Sequence, residues 1–174
     1  MVNARDLATA AVVAAMYALL VASLPMISFM LWQVRIADAL LMLSTVLGWP
    51  AIVGVTVGCF IGNFTAPWGT LSLVLVDAVL GSSANLVASY VAYKVAYGRG
   101  FSHKVLAAFL EIIIVSVVVG SYIKYLLEWA FNVNMPIIAS ILGVVPGSII
   151  AIGFLGTILA LAVERRLADS RGAE

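Results

Sequence analysis

Long runs of apolar residues, separated by short stretches that contain proline, glycine or charged residues, make up most of the chain. A membrane-spanning helix needs about 20 mostly apolar residues, and the 174 residues leave room for six such helices with short connections. The pattern predicts an all-α, polytopic membrane protein in which residues 1–174 form a single integral membrane domain. The predicted spans cover residues 7–24, 33–47, 51–64, 70–93, 105–129 and 136–163.

The composition agrees with a membrane protein and excludes several other classes. Hydrophobic residues make up 64% of the chain and charged residues only 10%, whereas soluble domains are about 45–50% apolar and about 25% charged. A net charge of +1 without a basic cluster gives no reason to expect a nucleic-acid partner. The single cysteine, Cys59, excludes an internal disulfide and a cysteine-rich metal site.

The lysines and arginines predict the orientation of the spans. With six spans, one side holds Arg5, the loop of residues 94–104 and the tail after residue 164, while the other holds only Arg35 and Lys124. Cytoplasmic loops carry the excess of positive residues. We therefore expect a multi-pass protein of the cytoplasmic membrane with both termini in the cytoplasm.

Small residues recur every four positions in two of the predicted spans. Gly54, Gly58 and Gly62 form a stripe on the third span, and such stripes let helix backbones approach closely. The first span offers two alanine registers for packing within the chain or for docking another subunit. These registers are Ala10, Ala14 and Ala18, and Ala11 and Ala15.

Polar and aromatic residues in the apolar segments are the candidate site residues. A charged side chain inside a membrane helix is costly and usually faces a cavity, a partner or a pathway. On the predicted topology, most of these residues converge near the outer face. The candidate substrate-binding residues are Trp32, Gln33, Arg35, Asp38, Asn63, Trp68, Asp77, Asn85 and Glu111.

Structural explanations remain open for several of these charges. Arg35 and Asp38, three residues apart on a helix, could form an interfacial ion pair. Asp77 could be paired with Arg35 or Lys124, and Gly81, one turn after Asp77, leaves space beside its carboxylate.

No catalytic motif is visible, and no enzyme activity or metal site is predicted. Carboxylates accept from N–H donors, amides donate and accept, and indoles stack on rings. Such groups suit a flat, polar, hydrogen-bonding solute, although they could also bind a cation.

Four ordered stretches of this sequence resemble signatures of the QueT family. QVRIADAL at residues 33–40 resembles QFRISEAL, and GCFIGNF at residues 58–64 resembles GCLLANL. PWG at residues 67–69 is similar to SPYG, and DAVLGS at residues 77–82 to DVVFGS. QueT proteins are substrate-binding S components of energy-coupling factor (ECF) transporters for queuosine precursors, which are deazaguanine bases.

The resemblance implies six helices, an outward-opening site and no transport without partners. These partners are a transmembrane T subunit and two ATP-binding cassette subunits, which use ATP, while this chain needs no cofactor and contacts membrane lipid. Arg35 and Asp38 would orient the solute, Asn63 and Asp77 would bind its edge, and Trp32 or Trp68 would stack on it. The alanine registers are similar to the face by which S components dock onto the T subunit.

Several departures from the family pattern lie where ligand contacts would be. Asp38 replaces a glutamate, Ser148 stands at the second position of an expected Gly-Glu pair, and Glu111 is an additional charge. An S component for another vitamin therefore remains an alternative. A stand-alone proton-coupled transporter with Asp77 and Glu111 as its relay is another, and a structural or sensory protein without a cavity is a third.

Overall fold

The computed structural model describes residues 3–29 and 33–172, and every regular element in these two stretches is a helix. The all-α prediction is confirmed. The elements, in chain order, are α1 (Ala4–Ser23), α2 (Pro25–Ser28), a 3-10 helix (Ile36–Leu43) that continues as α3 (Ser44–Leu47), α4 (Trp49–Gly62) with a 3-10 turn (Asn63–Thr65), α5 (Leu71–Ala96), α6 (Phe101–Phe131), α7 (Ile137–Ser148), a π-helix (Ile149–Gly156) and α8 (Thr157–Gly172).

Four helical stretches in the described part are long and apolar enough to cross a membrane, and two predicted spans are shorter. The short ones are Ile36–Leu47 and Trp49–Thr65. At about 2.0 Å per residue in the 3-10 part and 1.5 Å in the α part, Ile36–Leu47 is roughly 22 Å long. Because a bilayer core is about 30 Å thick, the six-span count stays a prediction.

The outer surface of the helices is apolar and the interior contains polar side chains. Phe109, Leu142 and Phe154 are among the exposed large apolar residues, whereas Asp77 and Glu111 are fully buried. Lipid favours this distribution, since polar groups in hydrocarbon must find partners inside the protein. The chain has the construction of a multi-pass membrane protein.

The glycine stripe of α4 packs directly on α1, as its spacing predicts. A Cβ atom added at Gly58 would lie 2.6 Å from the Ala14 carbonyl oxygen, and one added at Gly54 would lie 2.8 Å from the Ala10 carbonyl oxygen. At Gly62 the nearest atom would be Val21 Cβ at 3.0 Å. Only glycine permits this separation of the two backbones, so the predicted close crossing is confirmed.

The last long helical stretch changes helix type shortly after a proline. Pro146 lies inside α7, and the wider π-helix begins at Ile149. Gly147 packs against the backbone carbonyl of Gln33, where a Cβ atom would overlap the oxygen. This contact fixes the stretch that leads into the 3-10 helix against α7 and forms one wall of the site.

Candidate functional site

A small buried cavity lies where the stretch before and within the 3-10 helix meets α5, α6 and α7. Its free volume is about 10 Å³, which is room for about one water molecule. Four candidate residues converge on it, together with apolar residues of α6 and α7. The lining consists of Gln33, Arg35, Asp38, Asn85, Val115, Val119, Val144 and Ser148.

Arg35 brings a buried guanidinium group to this cavity, and most of its donors are unused by the residues that the structure describes. Its side chain lies over the Phe29 ring, 5.0 Å from the ring centroid, and Nη1 donates to Cys59 Sγ at 3.8 Å. Nε and Nη2 have no hydrogen-bond partner among the described residues. No ion pair between Arg35 and Asp38 is present in that part of the chain, so the alternative that these two residues form an interfacial ion pair is wrong there.

Asp38 is held by a short hydrogen-bonded chain that joins three helical elements. Tyr17 of α1 donates its hydroxyl to Asp38 Oδ1, and Asn85 Nδ2 of α5 donates to the Tyr17 oxygen at 2.8 Å. All three side chains are buried. Tyr17 was not among the predicted site residues, although a tyrosine hydroxyl in the middle of an apolar helix needs a hydrogen-bond partner.

Asp77 belongs to a second polar cluster beside the cavity. Trp68 Nε1 donates to Oδ2 and the Tyr122 hydroxyl donates to Oδ1, each at 2.8 Å, while Asn63 Nδ2 donates to the Asp77 carbonyl at 3.0 Å. Gly81 leaves the space for this arrangement, because a Cβ atom added at this position would lie 2.8 Å from Asn63 Nδ2. Both carboxylate oxygens are therefore occupied by neutral donors of the protein itself.

The suggested ion pairs of Asp77 are wrong for the described residues. Lys124 instead binds Glu128 at 2.8 Å, and Arg35 makes no salt bridge in this part of the chain. Asp77 Oδ1 accepts instead from the hydroxyl of Tyr122, which was not among the predicted site residues. Trp68 is buried and packs edge-on against Phe29 at 6.2 Å between ring centroids, so its ring does not line the cavity.

Glu111 is fully buried on α6, and neither carboxylate oxygen has a partner among the described residues. It lies four residues before Val115, which lines the cavity. The remaining candidate, Trp32, lies outside the described residues. No three histidine, cysteine, aspartate or glutamate side chains in the described part come together as a metal site. The arrangement offers donors and acceptors for binding a solute.

The two alanine registers of α1 have different surroundings. Ala10, Ala14 and Ala18 are half-buried, and their side of the helix faces the glycine stripe of α4. Ala11 and Ala15 are exposed on another side. The first register is occupied by packing within the chain, and the second is open on the outer surface of the bundle.

Comparison with known protein families identifies a match over most of the chain. Residues 7–165 match the model of a family described as QueT transporter, and this range covers most of the chain. No curated protein and no solved structure matches the sequence. QueT is a family of ECF S components, and transport rather than enzymatic catalysis is its activity. The chain belongs to the QueT transporter family.

Proposed function

We propose that this protein is the substrate-binding S component of an ECF-type importer that takes up a deazaguanine base or a related small aromatic micronutrient. On this proposal the chain lies in the cytoplasmic membrane with both termini in the cytoplasm. It works with a T subunit and two ATP-binding cassette subunits. Family membership supports transport, and the buried polar cavity supports the binding of a solute within this chain.

The proposal rests mainly on the buried guanidinium group of Arg35. A buried guanidinium with two nitrogens that donate to none of the described residues is costly to maintain. Its Nε and Nη2 groups are suited to a carbonyl or another acceptor on a ligand. Gln33 Oε1 lies in the same lining and has no hydrogen-bond partner among the described residues, so it can accept from a ring N–H or an amino group. A planar heterocycle with a carbonyl next to N–H groups matches this set of donors and acceptors.

Binding of such a base requires the cavity to widen. Small-molecule sites enclose about 300–1,000 Å³, whereas the free volume here is about 10 Å³. Gln33 lines the cavity, and its backbone carbonyl packs against Gly147 of α7. We therefore expect the solute to displace this stretch from α7.

Ala11 and Ala15 form the proposed contact with the T subunit. Their small, exposed side chains would allow another helix to approach closely, while Ala10, Ala14 and Ala18 are occupied by α4. Ala15→Trp should prevent co-purification of the T subunit but leave solute binding intact. Met16→Trp is the matched control, because Met16 is exposed about 100° further around the same helix. Equal co-purification by the two variants would contradict this assignment.

A thermal-shift titration of the purified chain tests solute binding. Deazaguanine bases and a panel of B vitamins are compared, since a ligand that binds only the folded state raises the unfolding temperature. Saturable stabilisation by a deazaguanine supports the proposed solute, and stabilisation by another vitamin supports a different S component. No response to any compound would contradict a binding function for the cavity.

Uptake into liposomes distinguishes the S component from a proton-coupled transporter. The proposal predicts no uptake by this chain alone under a proton gradient, and ATP-dependent uptake when the T and ATP-binding cassette subunits are present. Uptake by the chain alone would favour the transporter alternative. The occupied carboxylate of Asp77 makes it a poor relay group, because Trp68 and Tyr122 already bind both oxygens.

A further inference from the structure

An apolar groove lies on the outer surface of the bundle, between the first turns of α1 and α4. It shares no lining residue with the solute cavity, and its free volume is about 330 Å³. Apart from one carboxylate its lining is apolar, and it consists of Asp6, Leu7, Ala10, Trp49, Pro50 and Val53. Leu7 is 65% exposed and Trp49 52%. The groove therefore offers packing contacts to an apolar chain that lies along the bundle.

A polar recess adjoins this groove at the same end of the bundle. Its free volume is about 570 Å³, and Asp6 and Pro50 line both the recess and the groove. Arg5 also lines the recess, is exposed, and makes no salt bridge with any described residue. A recess with an uncompensated cation beside an apolar groove suits a ligand that has an anionic head and an apolar chain.

An aromatic cluster with a second cation borders both features. The ring of Trp49 lies 5.7 Å from Tyr90 and 6.2 Å from Tyr93 between centroids, and Tyr97, which lines the recess, lies 4.9 Å from Tyr93. Lys94 Nζ lies over the rings of Tyr90 and Tyr93, at 5.5 and 6.0 Å from their centroids. Lys94 is exposed and makes no salt bridge in the described part of the chain. Tryptophan and tyrosine beside basic residues are typical of the level of lipid headgroups.

We propose that the groove and the recess together bind one phospholipid whose headgroup carries a net negative charge. Its acyl chain packs in the groove against Trp49 and Val53, and its headgroup lies between Arg5 and Lys94. These two cations outnumber the single carboxylate of Asp6, which favours a net anionic headgroup over a zwitterionic one. The site does not include the exposed alanines proposed to contact the T subunit, and it does not depend on the identity of the solute.

Native mass spectrometry of the purified chain in a non-ionic detergent tests this inference. The probes are phosphatidylglycerol and phosphatidylcholine with the same acyl chains, so that they differ only in the headgroup. One basic residue close to an anionic lipid corresponds to about fivefold in affinity. Because Asp6 offsets one of the two cations, the wild type should bind its first phosphatidylglycerol about fivefold more tightly than its first phosphatidylcholine. The double variant Arg5→Gln/Lys94→Gln should lose this preference.

The double variant Arg165→Gln/Arg166→Gln is the matched control for charge. It removes two cations from exposed positions of α8 that line neither the groove nor the recess, and it should keep the wild-type preference. Thermal unfolding without added lipid checks that each variant is folded. Equal affinity of the wild type for the two lipids would overturn the inference. A preference that survives in Arg5→Gln/Lys94→Gln, or that is lost in the control, would overturn it as well.

A second pair of variants tests the apolar groove. Val53→Trp fills the groove, whereas Val57→Trp adds the same side chain one turn further along α4, outside the groove. The two valines are similarly exposed, at 47% and 44%. Val53→Trp should abolish saturable binding of the first lipid, and Val57→Trp should retain it. Wild-type lipid binding by Val53→Trp would overturn the inference, and loss of T-subunit co-purification in that same variant would assign the groove to this partner instead.

Discussion

Replacement of Gly58 by alanine tests whether the glycine stripe sets the separation of α1 and α4. The added Cβ atom would lie 2.6 Å from the Ala14 carbonyl oxygen and 2.7 Å from Tyr17 Cβ. Favourable carbon contacts lie at about 3.5–4.0 Å. The two helices therefore have to separate by about 1 Å, because no side-chain rotation can remove a collision with a backbone atom.

The expected loss of stability follows from two opposing effects. Overpacking costs typically 1–3 kcal/mol, and the backbone collision places this substitution at the upper end. Alanine recovers about 1 kcal/mol relative to glycine in a helix, which leaves a net loss of about 2 kcal/mol. For a chain of this size that corresponds to an unfolding temperature lower by roughly 4–8 °C.

Thermal unfolding in detergent measures this difference, with Gly153→Ala as the control. A Cβ atom at Gly153 would meet only the terminal methyl of Ile112, at 3.3 Å, so this variant should unfold at the wild-type temperature or slightly above it. Gly58→Ala should also weaken solute binding, because Tyr17 moves with α1 away from Asp38. An unfolding temperature for Gly58→Ala equal to that of Gly153→Ala would refute the reasoning.

Three further predictions concern the interior of the bundle. Tyr17→Phe removes the hydroxyl that donates to Asp38 and should lower stability by about 1–3 kcal/mol. Thermal unfolding without ligand measures this loss, and an unchanged unfolding temperature would contradict the role of this hydrogen bond. Gly147→Ala would bring a Cβ atom into overlap with the backbone carbonyl of Gln33 and should lower stability by about 1–3 kcal/mol, measured by thermal unfolding without ligand; an unchanged unfolding temperature would show that this wall of the site shifts at little cost. Glu164→Ala leaves the fully buried Lys104 without its carboxylate and should destabilise the protein by about 1–3 kcal/mol. Lys104→Met should cost less, because it leaves only the half-exposed carboxylate of Glu164, which stays in contact with solvent. The opposite order in thermal unfolding would contradict this account.

The features that the sequence predicts well depend on local spacing or on the cost of a polar group in lipid. The four-residue spacing of Gly54, Gly58 and Gly62 places them on one helix face whatever the tertiary structure, and the predicted crossing is present. Gln33, Arg35, Asp38 and Asn85 are polar residues in apolar segments, and such residues turn inward. Their meeting at one cavity follows from this tendency.

The features that sequence reasoning missed depend on how the helices are rotated relative to one another. Asp77 could be expected to find a partner, but the choice of Trp68 and Tyr122 over Lys124 is set by the faces that α5 and α6 present. A single tyrosine in an apolar helix does not by itself indicate a site, because tyrosines also occur in membrane-interface belts. The apolar run at residues 149–156 contains no signal that distinguishes a π-helix from an α-helix.

The π-helix sets the rotation of the side chains of α8 relative to those of α7. Sixteen residues separate Ser148 at the cavity from Glu164 at Lys104, and sixteen α-helical steps of 100° would leave their side chains about 160° apart. The eight residues of Ile149–Gly156 turn more slowly, by about 80° each, and this removes roughly 160° of rotation. By this geometry Ser148, which lines the cavity, and Glu164, which binds Lys104, come to lie on about the same face of the helical stretch. A single continuous helical stretch can therefore line the cavity through Ser148 and, several turns later, neutralise the buried Lys104 through Glu164.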